Sequence, residues 1–235
     1  MGLRLGFDVD GVLADFQTAL GDACHDLVGI EAGLVSVRDL PTIELKRAWR
    51  RIVRTPNWWM RLAAYEPDQI ARLYELSRQH HWEVFFLTKR PRTRGDTVQV
   101  QTQSWIETQG FYLPAVATVP SSRGEVARAL RLDLIVDDQQ LECADCITSS
   151  TAKALLMLRD TGDETTRTLA TNQGIGVVST LAEALDVIER LDAVVGTRTG
   201  VLAQLKNWLS LEDEIGPILP MNPRHERPLP TRSPV

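Results

Sequence analysis

The chain has 235 residues, of which 43% are hydrophobic and 24% are charged, so it can bury a sizeable core and is not disordered throughout. Its 26 Lys and Arg residues against 31 Asp and Glu residues give a net charge of −5, which argues against a protein that coats duplex nucleic acid by charge alone. Three cysteines argue against a disulfide framework, no apolar run reaches the roughly 18 residues of a membrane span, and the absence of a signal-peptide pattern favours a cytoplasmic protein.

Short apolar segments that alternate with helical patterns predict a buried parallel sheet. Pro67 suits the first turn of a helix, and the pairs Ser122 with Glu125 and Thr180 with Glu183 are typical of helix starts. This alternation predicts a three-layer α/β domain with right-handed crossovers. In chain order the apolar segments are Leu3–Phe7, Val84–Leu87, a weak candidate around Val116, Leu134–Val136, Ala154–Leu158 and Ile175–Val178.

The interval between the first two predicted strands is too long for a simple crossover. It has several helical patterns and no convincing strand, so we predict a small helical cap over residues 16–79, inserted after the first strand. Residues 1–15 and 80–195 then form the core. An amphipathic helix is expected over residues 196–215, and six of the twelve prolines fall in residues 216–235, a tail that builds neither helix nor sheet.

Two pairs of carboxylates follow predicted strands. Asp8 and Asp10 lie where the first strand runs into a loop, and Asp137 and Asp138 follow a later strand in the same way. The ligand crevice of an open α/β sheet lies beyond the carboxyl ends of its strands, so we expect the four side chains at one edge. They would repel one another unless a hard divalent cation lay among them, and Mg²⁺ prefers a few carboxylates plus water. Turn-forming Asp residues are the simpler alternative, but this explanation suits one such pair better than two.

The segment from Asp8 to Val12, which reads Asp-x-Asp-Gly-Val, resembles the first motif of the haloacid dehalogenase superfamily of phosphatases. The family's second motif is a Thr or Ser that ends the next core strand, and Thr88 matches it. Its fourth motif is an acidic pair after a strand, matched by Asp137 and Asp138. The order and spacing of these motifs agree over roughly residues 3–190.

The family's third motif is a basic residue, usually Lys, on the helix before the acidic pair. Arg123 is the best match, and Lys89, next to Thr88, is the alternative. The resemblance implies that Thr88 and one of these two cations hold phosphoryl oxygens. Arg in place of Lys would neutralise the phosphoryl group as a planar fork rather than as a point charge.

Within this superfamily the first motif is most similar to that of the 5′(3′)-deoxyribonucleotidases, whose cap carries an aromatic pair before the helix that leads to the second core strand. Trp58 and Trp59 occupy that place. Their rings could stack on a nucleobase, or they could form the small core of the cap, and the sequence favours neither.

The resemblance implies a phosphomonoesterase that acts on a small phosphorylated substrate such as a nucleotide. Asp8 would attack phosphorus and form an aspartyl-phosphate, and Asp10 would protonate the leaving oxygen and then deprotonate the attacking water. The implied cofactor is Mg²⁺, held by Asp8, the carbonyl of Asp10 and Asp137, with Asp138 close by or acting through water.

Other features leave alternatives open. The stretch from Arg92 to Gly110 resembles some polynucleotide 3′-phosphatases, which act on a nucleic-acid 3′ end; a small-metabolite phosphatase and a non-catalytic binding protein of the same fold are further alternatives. Cys143 and Cys146 have half of a zinc-site spacing, which is weak evidence for a metal. The run of Arg90, Arg92 and Arg94 is either solvated surface or a holder of a second phosphate.

Overall fold

The computed structural model describes residues 2–28, 42–119 and 121–193. The predicted C-terminal helix over residues 196–215 and the proline-rich tail over residues 216–235 lie outside these ranges. Within them, no helix is both long and apolar enough to cross a membrane.

The described residues form one sheet of six parallel strands in the spatial order β3-β2-β1-β4-β5-β6. This arrangement confirms the predicted parallel α/β fold, including the weak strand candidate around Val116, which becomes an edge strand paired with β2. The strand order reverses at β1, which pairs with β2 on one side and with β4 on the other. The strands are β1 (Arg4–Asp8), β2 (Glu83–Thr88), β3 (Ala115–Thr118), β4 (Leu134–Asp137), β5 (Lys153–Met157) and β6 (Gly176–Val178).

Alternating side chains of the strands divide the core into two layers. In β4, Leu134 and Val136 contribute to one hydrophobic cluster, and Ile135 points to the other. Helices cover both faces of the sheet, which is the expected three-layer arrangement. The first cluster includes residues of α3 (Pro67–His80), α4 (Val98–Thr108) and the helix over residues 181–193, called α8; the second includes residues of α5 (Arg123–Ala129), α6 (Gln140–Ser149) and α7 (Glu164–Asn172).

The inserted helical segment leaves and rejoins the core through a narrow connection. The backbone N–H of Asp15 donates to the carbonyl of Ala63 at 2.9 Å, and that of Tyr65 donates to Leu13 at 2.9 Å. Between these points lie α1 (Phe16–Val28), α2 (Thr42–Arg54) and a short 3-10 helix, η1 (Trp58–Arg61).

Helix α3 lies beyond this connection and packs with the sheet, although its sequence falls inside the predicted cap of residues 16–79. Its Ile70 and Leu73 are buried in the first core cluster. Its Arg72 forms ion pairs with Asp186 and Glu189 of α8 at 2.7 and 2.6 Å. These ion pairs tie α3 to α8 of the core, although its sequence falls inside the predicted cap.

Aromatic rings join the helical segment to the core. Trp59 is 1% exposed, packs against Phe16, Trp49 and Trp58, and donates its indole N–H to the carbonyl of Pro91 at 3.0 Å. Since a buried Trp removes a large apolar area from water and its N–H requires a partner, this contact ties η1 to the loop after β2.

We expect Trp59→Ala to lower the free energy of unfolding by about 3–5 kcal/mol, because it leaves a large cavity at this seam. Met60 in the same short helix is 40% exposed, so Met60→Ala is the matched control, with an expected change within about 0.5 kcal/mol. Denaturant unfolding of both variants measures the difference. A loss below about 1 kcal/mol for Trp59→Ala would contradict a core role for this ring.

Candidate active site

The carboxyl ends of three neighbouring strands bring the predicted site residues together. Asp8 ends β1, Thr88 ends β2 and Asp137 ends β4. All three are buried. Because β1 is the point at which the strand order reverses, this edge forms the crevice in which open α/β sheets bind their ligands.

Arg123 lies between the two buried carboxylates. Its Nη2 contacts Oδ1 of Asp8, and its Nε lies 3.2 Å from Oδ2 of Asp137 without the alignment of a hydrogen bond. Its side chain is 3% exposed. One guanidinium therefore balances part of the charge of two carboxylates in a site that water hardly reaches.

Burial raises the pKa values of the site carboxyls. The pKa of Asp8 lies well above its usual range, because desolvation and the charge of Asp137 outweigh the opposing effect of Arg123. Desolvation also raises the pKa of Asp137 and, with the nearby charges of Asp137 and Asp10, raises that of Asp138 to about 7. More negative charge is gathered here than one arginine balances.

Several buried polar atoms of the site have no hydrogen-bond partner: Oδ2 of Asp137, Oδ1 of Asp138, and Nε and Nη1 of Arg123. Buried carboxylate oxygens without a hydrogen bond fit a divalent cation, and guanidinium nitrogens without one fit an anion such as a phosphoryl group. Among the described residues, no three Asp, Glu, His or Cys side chains converge as a ready-made ligand set. A cation here would therefore need a backbone carbonyl and water as ligands, which suits Mg²⁺.

A close backbone approach holds the second acidic residue near the loop after β1. Gly11 has φ +88°, and a Cβ placed on it would lie 2.2 Å from Oδ2 of Asp138. Only glycine both adopts this backbone conformation readily and leaves space for that carboxylate. Glycine at position 11 is therefore needed both for the turn and for the close approach of Asp138.

Asp10 lies in the loop beyond β1, and its side chain is paired with Arg90. Nε of Arg90 lies 2.9 Å from Oδ2 of Asp10, and Nη2 lies 2.7 Å from Oδ1. The arginine run after Thr88 is therefore divided: the Arg90 side chain is fully buried, whereas Arg92 and Arg94 are exposed.

The two candidates for the third motif occupy different places. Arg123 contacts Asp8, whereas Nζ of Lys89 forms an ion pair with Glu142 at 2.5 Å, and its side chain is 40% exposed. The hydroxyl of Thr88 accepts a hydrogen bond from the backbone N–H of Arg90 at 3.2 Å, so its proton is available to an acceptor in the crevice.

The two tryptophans that could have stacked on a nucleobase are largely buried. Trp58 is 8% exposed and Trp59 is 1% exposed, and each packs against the other's ring with centroids 4.8 Å apart. This burial matches the cap-core interpretation of the pair and leaves little ring surface on which a base could stack.

Asp145 is a supporting residue that the sequence analysis did not single out. Its Oδ2 accepts hydrogen bonds from the Ser122 hydroxyl at 2.6 Å and the Gly124 N–H at 2.9 Å, which anchors the start of α5 on either side of Arg123. These hydrogen bonds also lower the pKa of Asp145. No sequence pattern could have identified this contact, because the partners lie more than 20 positions away.

The cysteines on either side of Asp145 play a different part from the zinc ligation considered above. Cys143 and Cys146 are free, buried thiols in the second core cluster. Burial raises the pKa of Cys146 to about 12 and that of Cys143 further. They pack as small apolar side chains rather than as thiolates.

Arg159 is a second supporting residue that sequence reasoning missed. It donates from Nε to the carbonyl of Gly11 at 3.0 Å and from Nη2 to that of Val12 at 2.6 Å. It also pairs with Glu66 at 3.1 Å, and its guanidinium lies 3.8 Å from the ring centroid of Tyr65. The loop that carries Asp10 is thereby fastened to the end of β5.

Two clefts flank the carboxylates. A cleft of about 590 Å³ is lined, among others, by Thr88, the cations Lys89, Arg90 and Arg92, and the carboxylate of Asp96. The second, of about 410 Å³, lies beside Gly11 and Asp138 on the other side and is rich in carboxylates. The charge difference favours the first cleft for the remainder of an anionic ligand.

Comparison with known proteins supports this description of the fold. No family model matches the chain. A provisionally named nucleotidase of Bacillus cereus is 26% identical over 118 residues, which are 46% of this chain and only 60% of that relative's length. A haloacid dehalogenase family hydrolase of Deinococcus radiodurans, solved with bound phosphate and sodium, has a TM-score of 0.54 at 13% identity, covering 79% of this chain and 96% of that one.

A phosphonoacetaldehyde hydrolase-like protein of Oleispira antarctica has a TM-score of 0.51 at 13% identity, covering 82% of this chain and 93% of that one. These structural similarities show that the chain has the fold of haloacid dehalogenase family hydrolases.

We expect Mg²⁺ to raise the melting temperature of the metal-free protein more at pH 8 than at pH 6. The folded protein holds a proton on Asp138 up to about pH 7, whereas the unfolded chain loses it near pH 4, so the metal-free fold loses stability as pH rises through this range. Below pH 7 a cation must displace that proton, which weakens its binding.

Thermal unfolding with and without Mg²⁺ at the two pH values measures this linkage. Asp138→Asn cannot lose this proton, so its Mg²⁺ shift should vary less with pH, and the variation that remains should come from Asp8 and Asp137, whose pKa values burial also raises. An equal Mg²⁺ shift at both pH values in the unsubstituted protein would contradict a cation site at these carboxyls.

Proposed function

We propose that the protein is a Mg²⁺-dependent phosphomonoesterase that acts through an aspartyl-phosphate intermediate. The observation that carries this proposal is the placement of Arg123, buried beside Asp8 and Asp137, with Nη1 lacking a hydrogen-bond partner and Nε in ion-pair contact with Asp137 only. A buried cation with free donors next to a nucleophilic carboxylate suits a phosphoryl group better than a neutral substrate.

The proposed steps follow from the positions of the side chains. A carboxylate oxygen of Asp8 attacks phosphorus, and the bond between phosphorus and the leaving oxygen breaks. Asp10 gives its proton to that leaving oxygen, then takes a proton from the water that hydrolyses the aspartyl-phosphate, which regenerates both residues. Arg123 and the hydroxyl of Thr88 hold phosphoryl oxygens as negative charge redistributes in the transition state.

The residues proposed to hold Mg²⁺ are Asp8, the carbonyl of Asp10 and Asp137, with Asp138 directly or through water. When bound, the cation supplies positive charge that lets an anionic carboxylate approach an anionic phosphate ester. Its charge would also favour the ionised form of Asp8, whose pKa burial otherwise raises.

The basic cleft beside Thr88 supports a substrate with further negative charge or polar groups, and a nucleotide is one such molecule. The similarity to the Bacillus cereus nucleotidase supports the same choice, although it covers less than half of this chain. The burial of Trp58 and Trp59 argues that the cleft, rather than these two rings, receives the nucleoside.

A polynucleotide 3′-phosphatase is the alternative with an observation in its favour, because Lys89 and Arg92 line a cleft that could receive a strand end. A phosphatase screen with Mg²⁺ separates the candidates. It should include deoxynucleoside 3′- and 5′-monophosphates, small phosphorylated metabolites and a 3′-phosphorylated oligonucleotide. No turnover of any ester would favour a non-catalytic binding protein.

We expect Asp8→Asn to lower turnover by at least about 10³-fold, because the variant keeps the shape of the side chain but loses the charge that attacks phosphorus. EDTA should abolish the activity of the unsubstituted enzyme, and added Mg²⁺ should restore it. Steady-state rates on the best ester from the screen measure both effects. Near-normal activity of Asp8→Asn would rule out the covalent route.

We expect Arg123→Ala to lower kcat/KM by about 10²- to 10³-fold, the loss typical of removing one preorganised donor. Arg123→Lys should retain a large part of the activity, because an ammonium group also neutralises a phosphoryl group. Lys89→Ala is the matched comparison, and its effect should be smaller because its ammonium group is half-exposed and already paired with Glu142. The reverse ranking would assign the third motif to Lys89.

A further inference from the structure

Arg90 is the most deeply buried of the three arginines that follow Thr88. The hydrogen bonds of its side chain go to Asp10 and to Thr102. Its side chain is 0% exposed, whereas that of Asp10 is 22% exposed. Nε lies 3.1 and 2.9 Å from the two oxygens of Asp10, and Nη2 lies 2.7 Å from Oδ1. Nη1 donates to the hydroxyl of Thr102 at 3.1 Å.

Two indole rings enclose the same guanidinium. Its central carbon lies 4.7 Å from the ring centroid of Trp59 and 5.8 Å from that of Trp105. Both rings are themselves fixed by hydrogen bonds, from Trp59 to the Pro91 carbonyl at 3.0 Å and from Trp105 to the Leu62 carbonyl at 2.7 Å. The guanidinium therefore has little freedom to turn.

A planar fork of donors fixes both the position and the plane of the carboxylate that it binds, which an ammonium group does not do. Oδ1 of Asp10 accepts from two nitrogens and Oδ2 from one. Oδ2 is thus the less occupied oxygen, and because the Asp10 side chain is partly exposed, its carboxyl can reach a ligand in the crevice.

We propose that Arg90 is a positioning residue for Asp10: enclosed by Trp59 and Trp105, its guanidinium holds the carboxyl in one orientation for proton transfer to the leaving oxygen. The inference rests on the proposed function, because it assumes that Asp10 is the acid. It also assigns a role to Trp59, which acts through Arg90 rather than through a nucleobase.

The leaving group provides the test. An alkyl phosphate such as a nucleoside monophosphate needs a proton on its leaving oxygen, whereas p-nitrophenyl phosphate releases a stable phenolate without one. The ratio kcat/KM covers only the steps up to loss of the leaving group, so it excludes the later hydrolysis in which Asp10 also takes part.

In Arg90→Met, we expect kcat/KM to fall by about 10²-fold or more for the alkyl phosphate and by less than about 10-fold for p-nitrophenyl phosphate. Asp10→Asn should show the same selectivity, and the double variant should be no worse than Asp10→Asn alone, because both changes remove one function. Arg94→Met, in the same run but exposed, is the matched control and should leave both ratios unchanged.

Because a buried arginine can be needed for folding, Thr102→Val serves as the second variant. It keeps the guanidinium and removes one hydrogen bond, so it should show a smaller loss with the same selectivity, and a smaller fall in melting temperature than Arg90→Met. Arg90→Lys keeps the positive charge but lacks the planar set of guanidinium donors. Its kcat/KM for the alkyl phosphate should therefore remain low, as in Arg90→Met.

The outcomes are distinct. Equal losses on both esters, or a double variant whose effects multiply, would overturn the positioning role while leaving the phosphatase intact. If Arg90→Met does not fold, Thr102→Val decides instead. Equal losses on both esters in that variant would overturn the positioning role. Absence of Mg²⁺-dependent hydrolysis of either ester by the unsubstituted protein would instead overturn the proposed function itself.

Discussion

The structure depends on keeping carboxylates together where water cannot reach them. Asp8 and Asp137 end adjacent strands of a parallel sheet, so their backbone positions are set by the register of β1 and β4. Their mutual repulsion is balanced in part by Arg123, which must itself be buried to reach them. Burial raises the pKa values of both carboxyls in spite of Arg123, and a bound cation would favour their ionised forms.

A second arginine gives the acidic residues of the site separate partners. Arg123 binds the carboxylates at the strand ends, and Arg90 binds Asp10 in the loop beyond them. Since each guanidinium is enclosed by different elements, the two carboxylates of the Asp-x-Asp motif experience different surroundings although they are two positions apart. Two carboxylates with separate partners suit the separate tasks of nucleophile and acid.

The sequence predicted the sheet well because buried parallel strands are short apolar runs, and it located the carboxylates because they follow such runs. It could not separate Arg90 from Arg92 and Arg94, since burial of Arg90 depends on Trp59, which is more than 30 positions away and belongs to the inserted segment. It could not connect α3 with α8 for a similar reason: the ion-pair partners of Arg72 in α3 are the distant residues Asp186 and Glu189 of α8.

Asp145 has a consequence for how the tolerance of this chain to substitution should be interpreted. Helix α5 has only seven residues and owes its position to the carboxylate of α6 that receives Ser122 and Gly124. A saturation scan scored on activity would therefore report position 145 with the carboxylates at the strand ends, although this side chain belongs to the neighbouring helix. Substitutions that lower activity should therefore be found one helix beyond the residues that would contact the ligand.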